Sequence, residues 1–299
     1  MEQWFAGIEA GGTKFNCIIA KDPAHILAET QIPTLTPDVT LPEVYAFFAQ
    51  QTNEAGIELS RIGLGFFGPL DLDPASPKFG SITSTPKSAW RDTPVLQLIQ
   101  NSLGIPAVLD TDVNAAAIGE GLWGAARGLE DYVYITIGTG IGGGVIIHGL
   151  PVHGLVHPEL GHMIVNHNRQ NDPYDGFCPY HADCLEGLAA GPAIQYRWST
   201  PAQSLPEDHP AWDLEAEYLA QALQNVILTL SPQRIILGGG VMNAPGLIEK
   251  VRSQTRLKLN GYVNSPVLEF GIGQYIVRPE LGNRAGVLGA IALALQSSS

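Results

Sequence analysis

The sequence predicts an α/β protein built from two related halves. Three observations carry this reading. Short apolar runs alternate with helical patterns along the chain. A strand, a threonine-bearing glycine turn and a second strand occur twice, as WFAGIEA-GGTK-FNCIIA at 4–20 and DYVYITI-GTGIGGG-VIIHG at 131–149. The length, 299 residues, suffices for two domains of ordinary size. One such hairpin reads as an ordinary glycine turn. Two of them suggest a duplicated architecture with a phosphate loop in each half.

In the first hairpin, Gly11 and Gly12 let the backbone approach a ligand, and Thr13 and Lys14 add donors. The spacing matches neither a Walker loop nor the dinucleotide fingerprint. HILAETQIPT at 25–34 predicts a third strand, and Leu41 to Ala55 an amphipathic helix. Arg61–Phe67 reads as a strand. After it, a loop rich in Pro, Ser, Thr and Gly runs to about Trp90, the kind that lines a cleft. A helix over Thr93–Ser102 and a short strand over Pro106–Leu109 lead into DTDVNAAAIGEGLWGAA at 110–126. The pattern starts a helix at about Val113, with Asp112 as its N-cap. The same carboxylate, at a cleft mouth, can act as general base in phosphoryl transfer. Asp110 and Asn114 are its polar neighbours.

Past the second hairpin, LEGLAAGPAIQYRW at 185–198 predicts a helix starting near Gly191 or Pro192. Trp212–Leu230 is a strong helical pattern and Arg234–Leu237 a strand. GGGVMNAPG at 238–246 runs from that strand into a helix over about 246–259. A strand, glycines and a helix start can cradle the adenosine or phosphate part of a nucleotide. Pro266–Phe270 reads as a short strand. Arg284–Leu295 reads as a closing helix that packs back onto the first half.

The stretch from His157 to Cys184 carries a different signal. Cys178, His181 and Cys184 stand at intervals of three, and HPELGH supplies His162. Two cysteines and two histidines suit a tetrahedral zinc site. His153, His157 and His167 compete with His162 for the fourth position. A Cys178–Cys184 disulfide is the rival reading, but nothing resembling a secretory signal precedes them, so a reducing compartment is expected. Four protein ligands leave no open position, so the zinc is expected to be structural. Glu159 lies three residues before His162, which suggests a metal-stiffened loop that grips a sugar.

The net charge of -13 disfavours nucleic acid and anionic membranes as partners. It leaves nucleotides open, because backbone amides and a cation can hold phosphates. No apolar run reaches the length of a membrane span, and the start, MEQWFAGIEA, has no signal-peptide pattern. A cytoplasmic enzyme is expected.

Taken in order, EAGGTK at 9–14, DVNAAAIGE at 112–120, GTGIGGG at 138–144, HPELGH at 157–162, CPYHADC at 178–184 and GGGVMN at 238–243 resemble the ROK family. That family comprises bacterial sugar kinases and sugar-responsive repressors. CPYHADC together with EAGGTKF resembles its fructokinase branch. The resemblance implies an actin-like, hexokinase-like ATPase fold, with two ribonuclease-H-like domains around a cleft. Residues 1–112 plus 285–299 would form the smaller domain and 113–284 the larger, with the zinc loop. It implies an ATP-dependent hexose kinase, acting first on fructose, with mannose, glucose or an N-acetylated hexosamine as alternatives. Asp112 would be the catalytic base, and Glu159 and His162 would contact sugar hydroxyls, with Asn114 in support. His162 would also bind zinc beside Cys178, His181 and Cys184. Gly11, Gly12, Thr13, Lys14, Thr139 and Gly140 would line the phosphates. Gly191, Pro192, Gly239 and Gly240 would hold the rest of the nucleotide. ATP with Mg2+, structural Zn2+ and a homodimer are implied. Most ROK kinases carry aspartate where this chain has Glu9, whose extra methylene changes its reach, so no direct magnesium contact is assigned to it and a water-mediated one is as compatible. A repressor would need a helix-turn-helix ahead of the strand at Trp4, which this reading disfavours, and a non-catalytic sugar-binding protein is disfavoured by Asp112 and both glycine turns.

Overall fold

The structure is a computed structural model in which residues 3–296 are described. The first half opens with β1 (Trp4–Ala10), β2 (Lys14–Asp22) and β3 (His25–Pro33), then α1 (Pro37–Ala55) and β4 (Leu59–Phe66). After the long loop come α2 (Val95–Leu103), β5 (Ala107–Thr111) and α3 (Asp112–Trp123). β1 is buried almost throughout, as a central strand covered on both faces must be, whereas β3 at the edge is exposed at every second residue. Helix α1 starts four residues before the predicted Leu41. Pro37 and Thr36 allow this: a first-turn proline lacks only an N–H that the helix would leave unpaired anyway.

The second half holds β6 (Tyr132–Ile137), β7 (Ile141–Ile147), β8 (Leu150–Pro151), α4 (Leu185–Ala189) and α5 (Gly191–Trp198). It continues with α6 (Ala211–Leu230), β9 (Arg234–Gly238), α7 (Leu247–Leu259), α8 (Pro266–Phe270), α9 (Ile272–Tyr275) and β10 (Ile276–Val277). Helix α10 (Ala285–Gln296) follows.

The first sheet runs β3-β2-β1-β4-β5 and the second β8-β7-β6-β9-β10. The orders are the same. In each, a central strand pairs antiparallel with the hairpin strand after it and parallel with the next strand to return. The duplication expected from the two glycine hairpins is thus a property of the whole sheets.

Two readings are corrected. Pro266–Phe270 is a helix, not a strand: Pro266 occupies its first turn and Leu268 alone is buried, so no strand face is needed. The sheet edge is instead the two-residue β10. The second glycine turn is shorter than GTGIGGG, because Gly142, Gly143 and Gly144 lie inside β7. Their role is space: a Cβ on Gly144 would sit 2.2 Å from the Val113 carbonyl oxygen of α3. The helix expected to start near Gly191 or Pro192 does so, as α5; the short α4 precedes it, and the chain breaks between them at Ala190 with ψ 159°, where the Gly191 amide turns away to bond the Gly138 carbonyl.

Helix α10 lies against β1, β2 and β4, as its sequence position suggested, while α3 lies against β6 and β7. The two helices pack on each other through glycine. A Cβ at Gly289 would fall 1.9 Å from the Ala115 carbonyl oxygen, and one at Gly63 of β4 1.8 Å from that of Ala290. A side chain at Gly289 would force α10 from α3, and one at Gly63 would force α10 from β4. The pair therefore ties one sheet to the other. Among the described residues, no helix is long and apolar enough to cross a membrane.

Candidate active site

The first turn of α3 lies between the sheets. On one side, a Cβ on Gly65 of β4 would be 3.3 Å from the Asp112 Cα; on the other, Gly142 and Gly144 of β7 crowd Val113. The N-cap is Thr111, not Asp112: the Thr111 hydroxyl accepts the Asn114 amide at 3.1 Å. A side chain caps only from the last non-helical position, and Asp112 is already helical. Its carboxylate takes only local backbone donors, the adjacent Val113 amide on Oδ1 at 2.9 Å and its own amide. The half-buried carboxylate is therefore not used up by capping. Burial pushes its pKa to about 6, against the lowering effect of those amides.

Asn114 is fully buried and donates to Asp110 at 2.8 Å. Asp110 also accepts the Thr111 amide at 2.7 Å and pairs with His153 at 3.1 Å. Asn114 thus sits behind the site and braces the end of β5. Glu9, at the end of β1, takes a hydrogen bond from Asn16 at 2.7 Å and rests against Gly286 of α10, where any Cβ would strike it. Burial raises its pKa to about 7, with a further contribution from Asp112. The first glycine turn closes through the Gly11 amide on the Lys14 carbonyl, and Thr34 donates to the Gly11 carbonyl at 2.8 Å. Thr13 and Lys14 are exposed at its tip.

Three separate segments meet at the second turn. Gly138 donates to the Gly140 carbonyl at 2.9 Å, leaving Thr139 exposed. The Gly191 amide donates to the Gly138 carbonyl at 2.8 Å, which brings the start of α5 and Pro192 alongside. Gly239, at φ 90°, passes so near Ile137 that a Cβ would lie 2.3 Å from its carbonyl oxygen. Gly240 next to it has open space around its Cβ position. Gly138–Gly140, Gly191 and Gly239 thus form one backbone-lined surface, suited to a phosphate or ribose.

Glu186 was not singled out by the sequence. Its Oε2 accepts the Ile141 amide at 2.9 Å, and a Cβ on Gly140 would lie 2.6 Å from it. The clue available was a carboxylate two residues after Cys184, in the first turn of α4. Packing raises the pKa of Glu159 to about 7, and Glu186 and Asp112 add repulsion, although its side chain keeps 39% exposure. Three acidic groups therefore share one electrostatic neighbourhood, which is the setting for a cation or for sugar hydroxyls.

The metal-ligand candidates separate cleanly. The His162 Nδ1 lies 3.7 Å from the Cys178 sulfur and 3.5 Å from that of Cys184, and the His181 Nδ1 lies 3.8 Å from Cys178. All four donor atoms fall within 4.8 Å of one another. A tetrahedral zinc with ordinary Zn–S and Zn–N bonds needs donor separations of about 3.4–3.8 Å, so the cluster fits one ion. Backbone bridges Ile164–Cys184 and Cys178–Ala182 bring the segments together, and both thiols are free. The competing histidines are engaged elsewhere. His153 pairs with Asp110, His157 accepts the Leu70 amide at 3.1 Å, and His167 contacts Asp183 and the Asp172 carbonyl.

Two sheets of one topology, joined by α3 and α10 with a carboxylate between two glycine turns, define the actin-like ATPase fold: two ribonuclease-H-like domains around a cleft. The ROK family profile matches residues 5–297, and the chain belongs to the ROK family. It is 42% identical over 294 residues to the fructokinase of Zymomonas mobilis, covering 98% of this chain and 96% of that one. It is 40% identical over 295 residues to the fructokinase of Lactococcus lactis, covering 98% of each. Among solved structures it resembles the ROK hexokinase of Thermus thermophilus, with a TM-score of 0.78 at 29% identity over 99% of both chains.

Proposed function

We propose that the chain is an ATP-dependent hexose kinase that transfers the terminal phosphoryl group of ATP to a hydroxyl of fructose. The observation that carries the chemistry is Asp112, a half-buried carboxylate between the sheets held only by the local amides of Val113 and Asp112 itself. The likeness to fructokinases over nearly the whole chain supports the sugar.

Asp112 orients the sugar's primary hydroxyl and takes its proton as the oxygen attacks phosphorus, while the bond to ADP breaks. A pKa of about 6 leaves the group ionised at neutral pH yet close enough to it to accept a proton effectively. Glu159 contacts sugar hydroxyls from the loop. So does His162, whose Nδ1 faces the thiols and whose other ring nitrogen remains for the sugar. Gly11, Gly12, Thr13, Lys14, Thr139 and Gly140 receive the phosphates, and Gly191, Pro192, Gly239 and Gly240 the rest of the nucleotide. Magnesium bound with ATP would neutralise phosphate charge, and Glu9 at the end of β1 would be the carboxylate on its side of the cleft. Zinc held by His162, Cys178, His181 and Cys184 stiffens the loop that carries Glu159. It has no open position for chemistry. Residues 1–112 with 285–299 move as one domain against 113–284 to close the cleft. The protein works as a cytoplasmic homodimer, in a compartment that keeps its thiols reduced.

The test is Asp112→Asn assayed by ADP release at saturating sugar and ATP. Turnover should fall by roughly two to four orders of magnitude. Near-normal turnover would mean that another group is the base. A panel of fructose, mannose, glucose and an N-acetylated hexosamine, compared by kcat/KM, decides the sugar. A preference for any of the last three would overturn fructose while leaving the kinase reading intact.

A further inference from the structure

An open depression of about 490 Å³ lies at the far end of α3, away from Asp112. Its walls are Gly124 and Ala125 after α3, Arg234 at the start of β9, Gly273 and Gln274 in α9, and Arg127, Val277, Arg278 and Glu280. The twelve residues of α3 separate it from Asp112 by roughly 17 Å. None of the candidate phosphate, sugar or metal residues lines it.

Its charge is opposite to that of the molecule. The chain has 16 Lys and Arg against 29 Asp and Glu. Here three arginines line the wall beside one carboxylate, Glu280, with the buried Glu120 carboxylate behind it, an excess of positive charge. Nor are those arginines used up in ion pairs. Arg278 donates to the Met242 carbonyl at 2.6 Å. Arg234 donates through one Nη to the Ala125 carbonyl, while its Nε–H is buried with no acceptor. That N–H has no open surface, so it is the guanidinium ends that a ligand meets, and their several N–H groups in one plane suit a phosphate oxyanion. The cavity wall is also built rather than loose. Arg252 donates to the carbonyls of Ile276 and Gly273, and Glu120 accepts the amides of Ala125, Glu280 and Leu281.

We infer that this cavity is a second ligand site, separate from the nucleotide and sugar cleft, that binds a phosphate group through Arg127, Arg234 and Arg278. The shared chemistry is a phosphate dianion or monoester. Its source is a small phosphorylated metabolite or free phosphate.

The test is calorimetric titration of inorganic phosphate into full-length protein saturated with ADP, so that a nucleotide pocket is already filled. One saturable site per chain is expected. Arg127→Glu, at an exposed position with no side-chain bond to lose, should weaken it by at least about tenfold and leave turnover in phosphate-free buffer unchanged. Arg234→Lys keeps the charge but removes the planar guanidinium, and should weaken it by about three- to tenfold. A hexose 6-phosphate that binds tighter than inorganic phosphate through the same arginines identifies a sugar phosphate as the ligand; equal affinity identifies free phosphate. No saturable binding up to about 20 mM phosphate, or an unchanged Kd in both variants, overturns the inference. Since binding is the readout, the result holds even if the chain proves not to phosphorylate fructose.

Discussion

Replacing Asp112 with asparagine should make the protein more stable at neutral pH even as it removes activity. Burial holds this carboxyl at about 6, against an ordinary value of 3.8. The ionised form is therefore disfavoured in the folded protein by roughly 3 kcal/mol, an upper figure given the partial exposure of the group. The sign follows from linkage. With the folded pKa raised, the stability tied to Asp112 is complete below about pH 4 and is lost as pH rises through about 6. Asparagine has no charge to bury, and its oxygen can still accept the Val113 amide. Removing the charge also relieves Glu9, whose pKa Asp112 helps to raise. The variant should gain about 1–3 kcal/mol at pH 8 and nothing at pH 4, measured by urea unfolding of the nucleotide-free protein across that range. An asparagine variant no more stable than the parent at pH 8, or a gain that persists unchanged at pH 4, would refute the claim that burial strains this carboxylate.

Activity should fall as pH drops through about 6, because protonated Asp112 cannot accept the sugar proton; a kcat/KM profile flat from pH 8 to pH 5 contradicts this. Purified protein should carry near-stoichiometric zinc, and Cys184→Ser should lose it and lower Tm by at least about 5 °C; metal analysis and thermal melts check both. Gly63→Val should cost at least about 3 kcal/mol, since its Cβ would overlap the Ala290 carbonyl; an unchanged urea midpoint would show that α10 can shift aside. Glu120→Ala strands three amides that its carboxylate accepts and should cost about 2–4 kcal/mol by the same measurement.

Much of this molecule was legible locally. The two glycine hairpins, DTDVN, HPELGH and CPYHADC are short patterns whose chemistry depends on neighbours in sequence, and most strands and helices fall within a few residues of where periodicity put them. What sequence could not resolve depends on partners far along the chain. Which of four histidines joins Cys178 and Cys184 is decided by the strand-like contact of Ile164 with Cys184 and by the engagement of His153 and His157 with the first half. The N-cap passes from Asp112 to Thr111 because β5 runs two residues longer, paired to β4. Pro266–Phe270 folds as a helix because Leu268 is its only buried residue. The three arginines of the far cavity are spread over some 150 positions, and no window of sequence contains them. Residue types and spacing determined which chemistry was possible here. Packing determined which side chains remain unpaired to perform it, because burial and hydrogen-bond competition are settled only when distant segments touch.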